Sequence, residues 1–250
     1  MADSVAGVVL GAGAGTRLRP LTLERPKALC PWGSTTLVDR AIEQLASVTS
    51  TIAVNAHDRS TALADHVAGR VHVSVEPELL GSAGALGALR SWIDGRDVVL
   101  VNADTVHAAS VGAFVTQWDR TSVAFLVAEA DGTEFSPTMR LIATLMPWAL
   151  VRRIPATPHG IYRRWWVPAA RRGEVTVVGG YTGAWFDCGS APDYLAANMW
   201  WSGGAPVVGR DARVEGELAE VVVWPGAVVA RGESLRSAIR TTGGRTVLVR

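Results

Sequence analysis

Lysine is almost missing from this chain: of 24 basic residues, 23 are arginine and one, Lys27, is lysine. Such a bias reflects coding composition. The single exception needs explaining, because a compact ammonium does things that a planar guanidinium cannot. Cysteine is nearly missing too. Cys30 and Cys188 have no metal-ligand spacing between them, which argues against a cysteine metal site, and a reducing, cytoplasmic compartment is expected. Long apolar runs are lacking. The opening MADSVAGVVLGAGAG has no basic leader and breaks into glycines, so neither a signal peptide nor a membrane partner is expected. Charge of one sign is not in excess either: the formal net charge is +1, which leaves no field to gather nucleic acid. No low-complexity linker interrupts the chain.

What is present is enough for one good-sized domain, since 48% of 250 residues are hydrophobic. Short β-branched runs alternate with helical periodicities. Val5 to Leu10, Thr51 to Asn55, Val71 to Val75, Asp97 to Asn102 and Val123 to Ala128 predict strands. Leu37 to Leu45, with Leu37, Ala41, Ile42 and Leu45 on one face, predicts a helix. Arg59 to Val67 and Ala83 to Ile93 predict two more. This alternation implies an α/β fold, Rossmann-like, with a mixed, mostly parallel sheet and helices on both faces. Ligands bind such sheets beyond the carboxyl ends of the strands, so residues just after Leu10, Asn55, Val75 and Asn102 should line a site. From about Phe135 to Gly180 the pattern is irregular and rich in Pro, Arg and Trp. A helix is expected after Ala191, with Pro192 just inside its start. The glycines at 203–204 divide a first domain, 1–203, from a segment 204–250 whose texture suggests one or two coils of a left-handed β-helix. Two coils cannot bury a core alone, so the segment is expected to pack on the first domain or on another subunit, as a homo-oligomer contact.

Residues 9–27, VLGAGAGTRLRPLTLERPK, carry the chemistry. A buried strand runs into a glycine-rich turn, where backbone N–H groups can converge on phosphate oxygens free of Cβ atoms. Arg17 offers bidentate contacts to a polyphosphate, Lys27 a mobile point charge, and Pro20 and Pro26 stiffen the loop between them. Two other phosphate loops fail on spacing. From Gly11 the third glycine of a dinucleotide fingerprint falls on Thr16, which excludes a nicotinamide oxidoreductase, and no Gly-Lys-Ser/Thr triplet exists.

The whole string resembles the signature of the sugar-1-phosphate nucleotidylyltransferases, approximately L-(A/G)-(A/G)-G-x-G-T-R-L-x-P-L-T-x-x-x-P-K, with every specified position from Leu10 to Lys27 filled. Further strings agree. Pro31 to Asp39 looks like the family segment that leads into the first helix, and WPGAVV like the β-helical tail of several members. Glu76 to Leu86 (EPELLGSAGAL) is similar to the family loop that contacts base and ribose, and Val101 to Thr105 (VNADT) to its N-G-D metal strand end. Trp185 to Asn198 (WFDCGSAPDYLAAN) is similar to the family's second metal segment. The resemblance implies nucleotide binding by Leu10, Gly11, Ala12, Gly13, Ala14, Gly15, Thr16, Glu76, Gly81, Ser82 and Ala83. It implies catalytic roles for Arg17 and Lys27, and Mg²⁺ held by Asp104 and Asp187. Taken alone, each aspartate reads more simply as a turn residue or helix cap.

The implied substrates are a nucleoside triphosphate and a sugar-1-phosphate, joined with loss of pyrophosphate by in-line attack on the α-phosphorus. The strings look most like the mannose-1-phosphate guanylyltransferase branch, and uridylyl and thymidylyl transfer fit them as well. One departure stands out. Many members carry a Glu-Lys pair in the sugar half of the site, and this chain has no second lysine. Arg140, Arg152, Arg153, Arg163 and Arg164 are the candidate replacements. Tyr162, Trp165 and Trp166 suit core or subunit packing better than stacking on a sugar, and His57 reads as a turn histidine. The missing lysine leaves a second reading, a non-catalytic nucleotide-sugar-binding regulatory protein on the same fold. Joint retention of Arg17, Lys27, Asp104 and Asp187 argues against it.

Overall fold

Val5–Leu10 (VAGVVL) carries only small or branched apolar residues, which suits a strand covered on both faces, and it forms β1 at the centre of a sheet. The computed structural model describes residues 4–57, 61–128 and 134–249. By its contacts the chain divides into two compact units. One holds residues 1–13, 41–103 and 107–183, the other residues 14–40, 104–106 and 184–250. Gly203 caps a helix, but it is not where the contacts divide. No helix among the described residues is long and apolar enough to cross a membrane.

The first unit is built on a seven-stranded sheet. Its strands are β1, β2 (Ile52–His57), β3 (His72–Glu76), β4 (Asp97–Asn102), β5 (Val123–Ala128), β6 (Arg140–Met146) and β7 (Val175–Tyr181), in spatial order β3-β2-β1-β4-β6-β5-β7. All neighbours pair in parallel except β6, which runs antiparallel to both β4 and β5. Leu10 pairs with Asn55 on one side and Asn102 on the other, so three strands reach the carboxyl edge in line. Helices α1 (Leu37–Ala46) and α2 (Thr61–Val67) begin and follow the first crossovers. The expected start of α2 at Arg59 lies outside the described residues. Helix α3 (Gly81–Ile93) buries Ala83, Leu86, Leu89 and Ile93 in the same core as Val8, Leu100 and Phe125.

The irregular region expected from Phe135 to Gly180 is in part regular. It holds two sheet strands, β6 and β7, a π-helical turn at Tyr162–Trp166 and the short helix Val167–Arg171. Arginine and tryptophan flank these elements and mask the strand pattern. Residues 142–146 of β6 are nonetheless buried, as a strand between two neighbours must be.

In the second unit, the helix predicted after Ala191 runs from Ala191 to Ser202. Ser190 Oγ accepts from the Asp193 N–H at its start, and Gly203 sits in the left-handed region at its end. The tail pairs in parallel, with Val207 against Val222, Val222 against Ile239, and Arg213 against Val228. The last strand, Thr246–Leu248, turns back antiparallel. Val221, Val223, Val229, Leu235 and Ala238 bury one another in a small core of the tail's own, where the sequence led one to expect none. Val222, Trp224 and Ile239 join a second core with Leu18, Leu21, Cys30, Leu37 and Tyr194. Buried Tyr194 ties this core together: its hydroxyl donates to the Pro31 carbonyl and accepts from Trp224 Nε1 at 3.1 Å.

Candidate active site

In the second unit, Gly15 adopts φ +61°, a conformation side chains resist, and a Cβ there would come within 2.8 Å of Thr22. Its carbonyl accepts from the Leu18 N–H at 3.1 Å and from Thr22 Oγ1 at 2.8 Å, which closes a tight turn. Leu18 and Leu21 then anchor the following turns in the core, while Arg17 projects outward with 71% of its side chain exposed. Pro26 leads into a single turn, Lys27–Leu29, and the Lys27 side chain is only 10% exposed.

Four charges meet there. Lys27 Nζ donates to Asp104 Oδ2 and lies 3.7 Å from Asp187 Oδ1. Arg17 Nη2 lies 3.3 Å from Asp187 Oδ2. The spacing of the aspartates is fixed by backbone, since the Asp104 carbonyl accepts from the Cys188 N–H at 2.9 Å. Gly189 allows the crowding, because a Cβ there would stand 2.6 Å from Arg17 Nη2 and 3.0 Å from Asp187 Oδ1. The cluster is formally neutral. Among the described residues no group of three or more His, Cys, Asp or Glu side chains could hold a metal. A pair of partly open carboxylates nonetheless suits Mg²⁺, which takes few protein ligands and completes its shell with phosphate and water.

In the first unit, a polar relay orders the ends of β1, β2 and β3. The Gly11 N–H donates to Asn55 Oδ1 at 2.7 Å, and Asn55 Nδ2 donates to Glu76 Oε1 at 2.7 Å. Glu76 Oε2 accepts from the Leu80 N–H at 3.0 Å. The same unit contains a cavity of about 270 Å³ between the ends of β1 and β4 and strand β6, walled further by Ile161, Tyr162 and Trp166.

Residues 7–249 match the MobA-like NTP transferase domain. The chain belongs to that family.

Two curated relatives and one solved structure show how this NTP transferase domain sits among known proteins. It is 31% identical over 141 residues to the N-acetylmuramate alpha-1-phosphate uridylyltransferase of Caulobacter vibrioides, covering 51% of this chain and 58% of that protein. It is 34% identical over 110 residues to the mannose-1-phosphate guanyltransferase of Kluyveromyces lactis, covering 40% of this chain and 30% of that one. The chain thus spans from under a third to rather more than half the length of these relatives. A Thermus thermophilus structure described as mannose-1-phosphate geranyltransferase superposes with a TM-score of 0.74 at 16% identity, over 98% of this chain and 95% of its own, a likeness of fold.

Within this domain, the structure brings Arg17, Lys27, Asp104 and Asp187 together. Of the glycine run, Gly13, Ala14 and Thr16 are exposed, Gly15 is partly so, and Gly11 and Ala12 are buried. Leu10 lines the cavity. The Glu76 carboxylate, expected at base and ribose, is turned into the protein at 1% exposure and serves the relay instead. Gly81 is exposed, Ala83 is buried, and Ser82 Oγ accepts from the Ile161 N–H at 3.0 Å. Asn55 was missed; its signal is a polar residue closing an otherwise apolar strand. None of the five arginines considered for a sugar-phosphate anchor lines the cavity, and all five are exposed. Trp166 packs edge-on against Phe125 at 4.8 Å and Tyr162 stacks on Phe135 at 5.2 Å, which is core packing. Trp165 Nε1 donates to His159 Nε2 at 3.0 Å. Both cysteines are free and buried; burial pushes the Cys30 thiol up to about 12 and raises Cys188 as well.

Proposed function

We propose that this NTP transferase domain joins a nucleoside triphosphate to a sugar-1-phosphate and releases pyrophosphate. The observation that carries the reading is the single lysine of an arginine-rich chain, held with Arg17 against two converging aspartates. A phosphate monoester is already anionic, so its oxygen needs no general base to attack the α-phosphorus. The P–O bond to the β-phosphate breaks and pyrophosphate carries away the electron pair. Catalysis is then a matter of positioning and charge. The exposed glycine-run backbone around Gly13 holds phosphate oxygens, Lys27 offsets charge gathering at the α-phosphate, and exposed Arg17 steadies the departing pyrophosphate. Asp104 and Asp187 would hold Mg²⁺, which when bound supplies further charge for the triphosphate oxygens.

Residues 1–203 carry this chemistry, and residues 204–250 are read as left-handed β-helical coils that support it. Val208 and Val228, about half exposed, mark where an oligomer would form, which sedimentation would test. The activity itself is tested by incubating the protein with Mg²⁺ and each triphosphate against a panel of sugar-1-phosphates while following pyrophosphate. Release that requires both substrates is expected. Nucleotide-sugar binding without release in any combination would overturn the enzyme reading in favour of a regulatory one.

A further inference from the structure

Charge is segregated along one stretch of the first unit. From Phe135 to Gly173 the chain holds seven arginines and no aspartate or glutamate. The formal net charge of +1 conceals this, because the rest of the chain is net acidic. Six of the seven form adjacent pairs, Arg152 with Arg153, Arg163 with Arg164 and Arg171 with Arg172, and all six are exposed. Each pair lies on or just past a short helical element: the turn Trp148–Val151, the π-helical turn Tyr162–Trp166 or the helix Val167–Arg171. Arginine is favoured at a helix C-terminus, which accounts for some of these charges but not for the missing acids.

The pairs are gathered in space. Glu174 accepts from Arg172 Nε at 2.8 Å and Nη2 at 2.6 Å, and these bonds, with the nearby Arg153 charge, hold its carboxyl below the usual range. Arg90 Nη1 reaches the Ile154 carbonyl at 3.5 Å, beside Arg152 and Arg153. Seven residues make about two turns, so Arg164 and Arg171 share a face of their continuous helical stretch. Among the described residues, no hydrogen bond or ion pair holds the side chain of Arg152, Arg153, Arg163, Arg164 or Arg171. Asp97, which accepts from the Trp148 N–H, is already paired with Arg120 at 3.3 Å. Like charges held this close repel one another unless an anion lies against them. Between them stand the half-buried apolar side chains of Trp148, Leu150, Trp165 and Val167.

We propose that this face binds the headgroup layer of an anionic phospholipid membrane. The proposal departs from the sequence reading, in which no membrane partner is expected. Arginine forks take phosphate oxygens two at a time, and pairs spread over three turns meet many small anions in a plane rather than one ligand in a cleft. None of the six lines the cavity. Tryptophan beside arginine is the composition that settles where headgroups meet acyl chains. A single-stranded nucleic acid would match the charge, but it needs open ring faces on which bases stack. Here Tyr162 is stacked on Phe135, Trp166 lies edge-on to Phe125, and Trp165 is tilted against His159.

The test is co-sedimentation of the whole protein with vesicles of phosphatidylcholine alone, or of phosphatidylcholine and phosphatidylglycerol in equal parts. Binding is expected to the second kind only, and it should fall steeply as salt rises from about 0.01 M to about 0.15 M. Each arginine near such a surface is worth about 5-fold in partition, so Arg163→Gln with Arg164→Gln should lower it by about 20-fold. The melting temperature should hold, because neither side chain has a partner to lose. Arg210→Gln with Arg213→Gln, the same change of charge placed in the tail, should bind as the wild type does. Equal binding to both vesicles, no binding at low salt, or an equal loss in the tail variant would overturn the proposal. A fluorescent oligothymidylate should bind more weakly than the vesicles at equal phosphate concentration. Tighter binding of the oligonucleotide, lost in the Arg163 and Arg164 variant, would make the face a nucleic-acid site instead. Neither measurement needs turnover, so the enzyme reading stands or falls separately.

Discussion

Lys27 donates to Asp104 while its ammonium also lies within 3.7 Å of Asp187, so the chain's single lysine is the counter-charge to two carboxylates at once. Replacing it should remove charge stabilisation without disturbing the turns that present it. Lys27→Ala is expected to lower turnover by about 10²-fold or more. Lys27→Arg should not restore it, since a broad fork cannot take the place of a point charge with 10% exposure. Steady-state kinetics on both variants checks this, and near-normal turnover in either would remove Lys27 from the chemistry.

Gly189 separates geometry from composition. A methyl at this position crowds Arg17 Nη2 and Asp187 Oδ1, and the guanidinium, being the mobile end of an exposed side chain, should be the group that yields. Gly189→Ala should therefore reduce turnover by about 10-fold while costing within about 0.5 kcal/mol of stability, as for a mild surface change. Combined with Arg17→Ala, its effect should not add, because both dismantle one contact. Additive losses in the double-mutant cycle would point to a different cause.

Glu76 should act through order. Its two carboxylate oxygens accept from Asn55 Nδ2 and the Leu80 N–H, so Glu76→Gln must set an amide NH₂ against one of these donors. A stability loss of about 1–3 kcal/mol is expected, the cost of a buried donor left unsatisfied. Asn55→Ala should cost a similar amount, since it frees the Gly11 N–H. Denaturant unfolding measures both, and a raised KM for nucleotide should accompany them. A pure KM change at unchanged stability would instead mean direct contact.

Much of this could be read from the sequence, and the limits are physical. Strand–helix alternation from Val5 to Ala128 is legible because a buried parallel strand needs an unbroken branched run, and VAGVVL, DVVLVN and VAFLVA supply it. RLIATLM in β6 is not legible in that way: its apolar residues fit a short helix as well as a strand, it opens on Arg140, and Met139 and Pro147 flank it. The four-charge cluster follows from long signature strings. The direction of the Glu76 carboxylate does not, because a string fixes a position along the chain and not which way a side chain turns.

Tyr194 should hold the tail to the helix that follows Asp187. Tyr194→Phe removes the donor to the Pro31 carbonyl and the acceptor for Trp224 Nε1 in a fully buried place. We expect a loss of about 1–3 kcal/mol in denaturant unfolding. No loss would mean that packing alone seats Trp224.

The alkaline limb of stability should report Cys30. Its thiol is raised from 9.0 to about 12 chiefly by burial, against the pull of Arg25 and Lys27. A raised acid stabilises the fold fully below its ordinary value, and that contribution fades as pH climbs from about 9 toward about 12. Unfolding free energy should thus fall over this window less steeply in Cys30→Ala than in the wild type. Iodoacetamide at pH 8 should leave native Cys30 unmodified and label it once the protein is unfolded. Equal slopes, or labelling of the native chain, would contradict the burial argument.

The cluster also has a place in time. Arg17 meets a partner 170 positions away and Lys27 one 77 positions away, and their unit is assembled from three separate stretches of chain. Contacts of such long separation form late, because the chain must close large loops before they reward it. During synthesis, which proceeds from the N-terminus, the glycine run and Lys27 leave the ribosome long before either aspartate can meet them. Any product truncated ahead of Asp187 therefore lacks one wall of the charge cluster, however well its sheet is formed. An N-terminal fragment ending there should accumulate as a folded but inert sheet, and activity should return only when the missing C-terminal stretch is supplied.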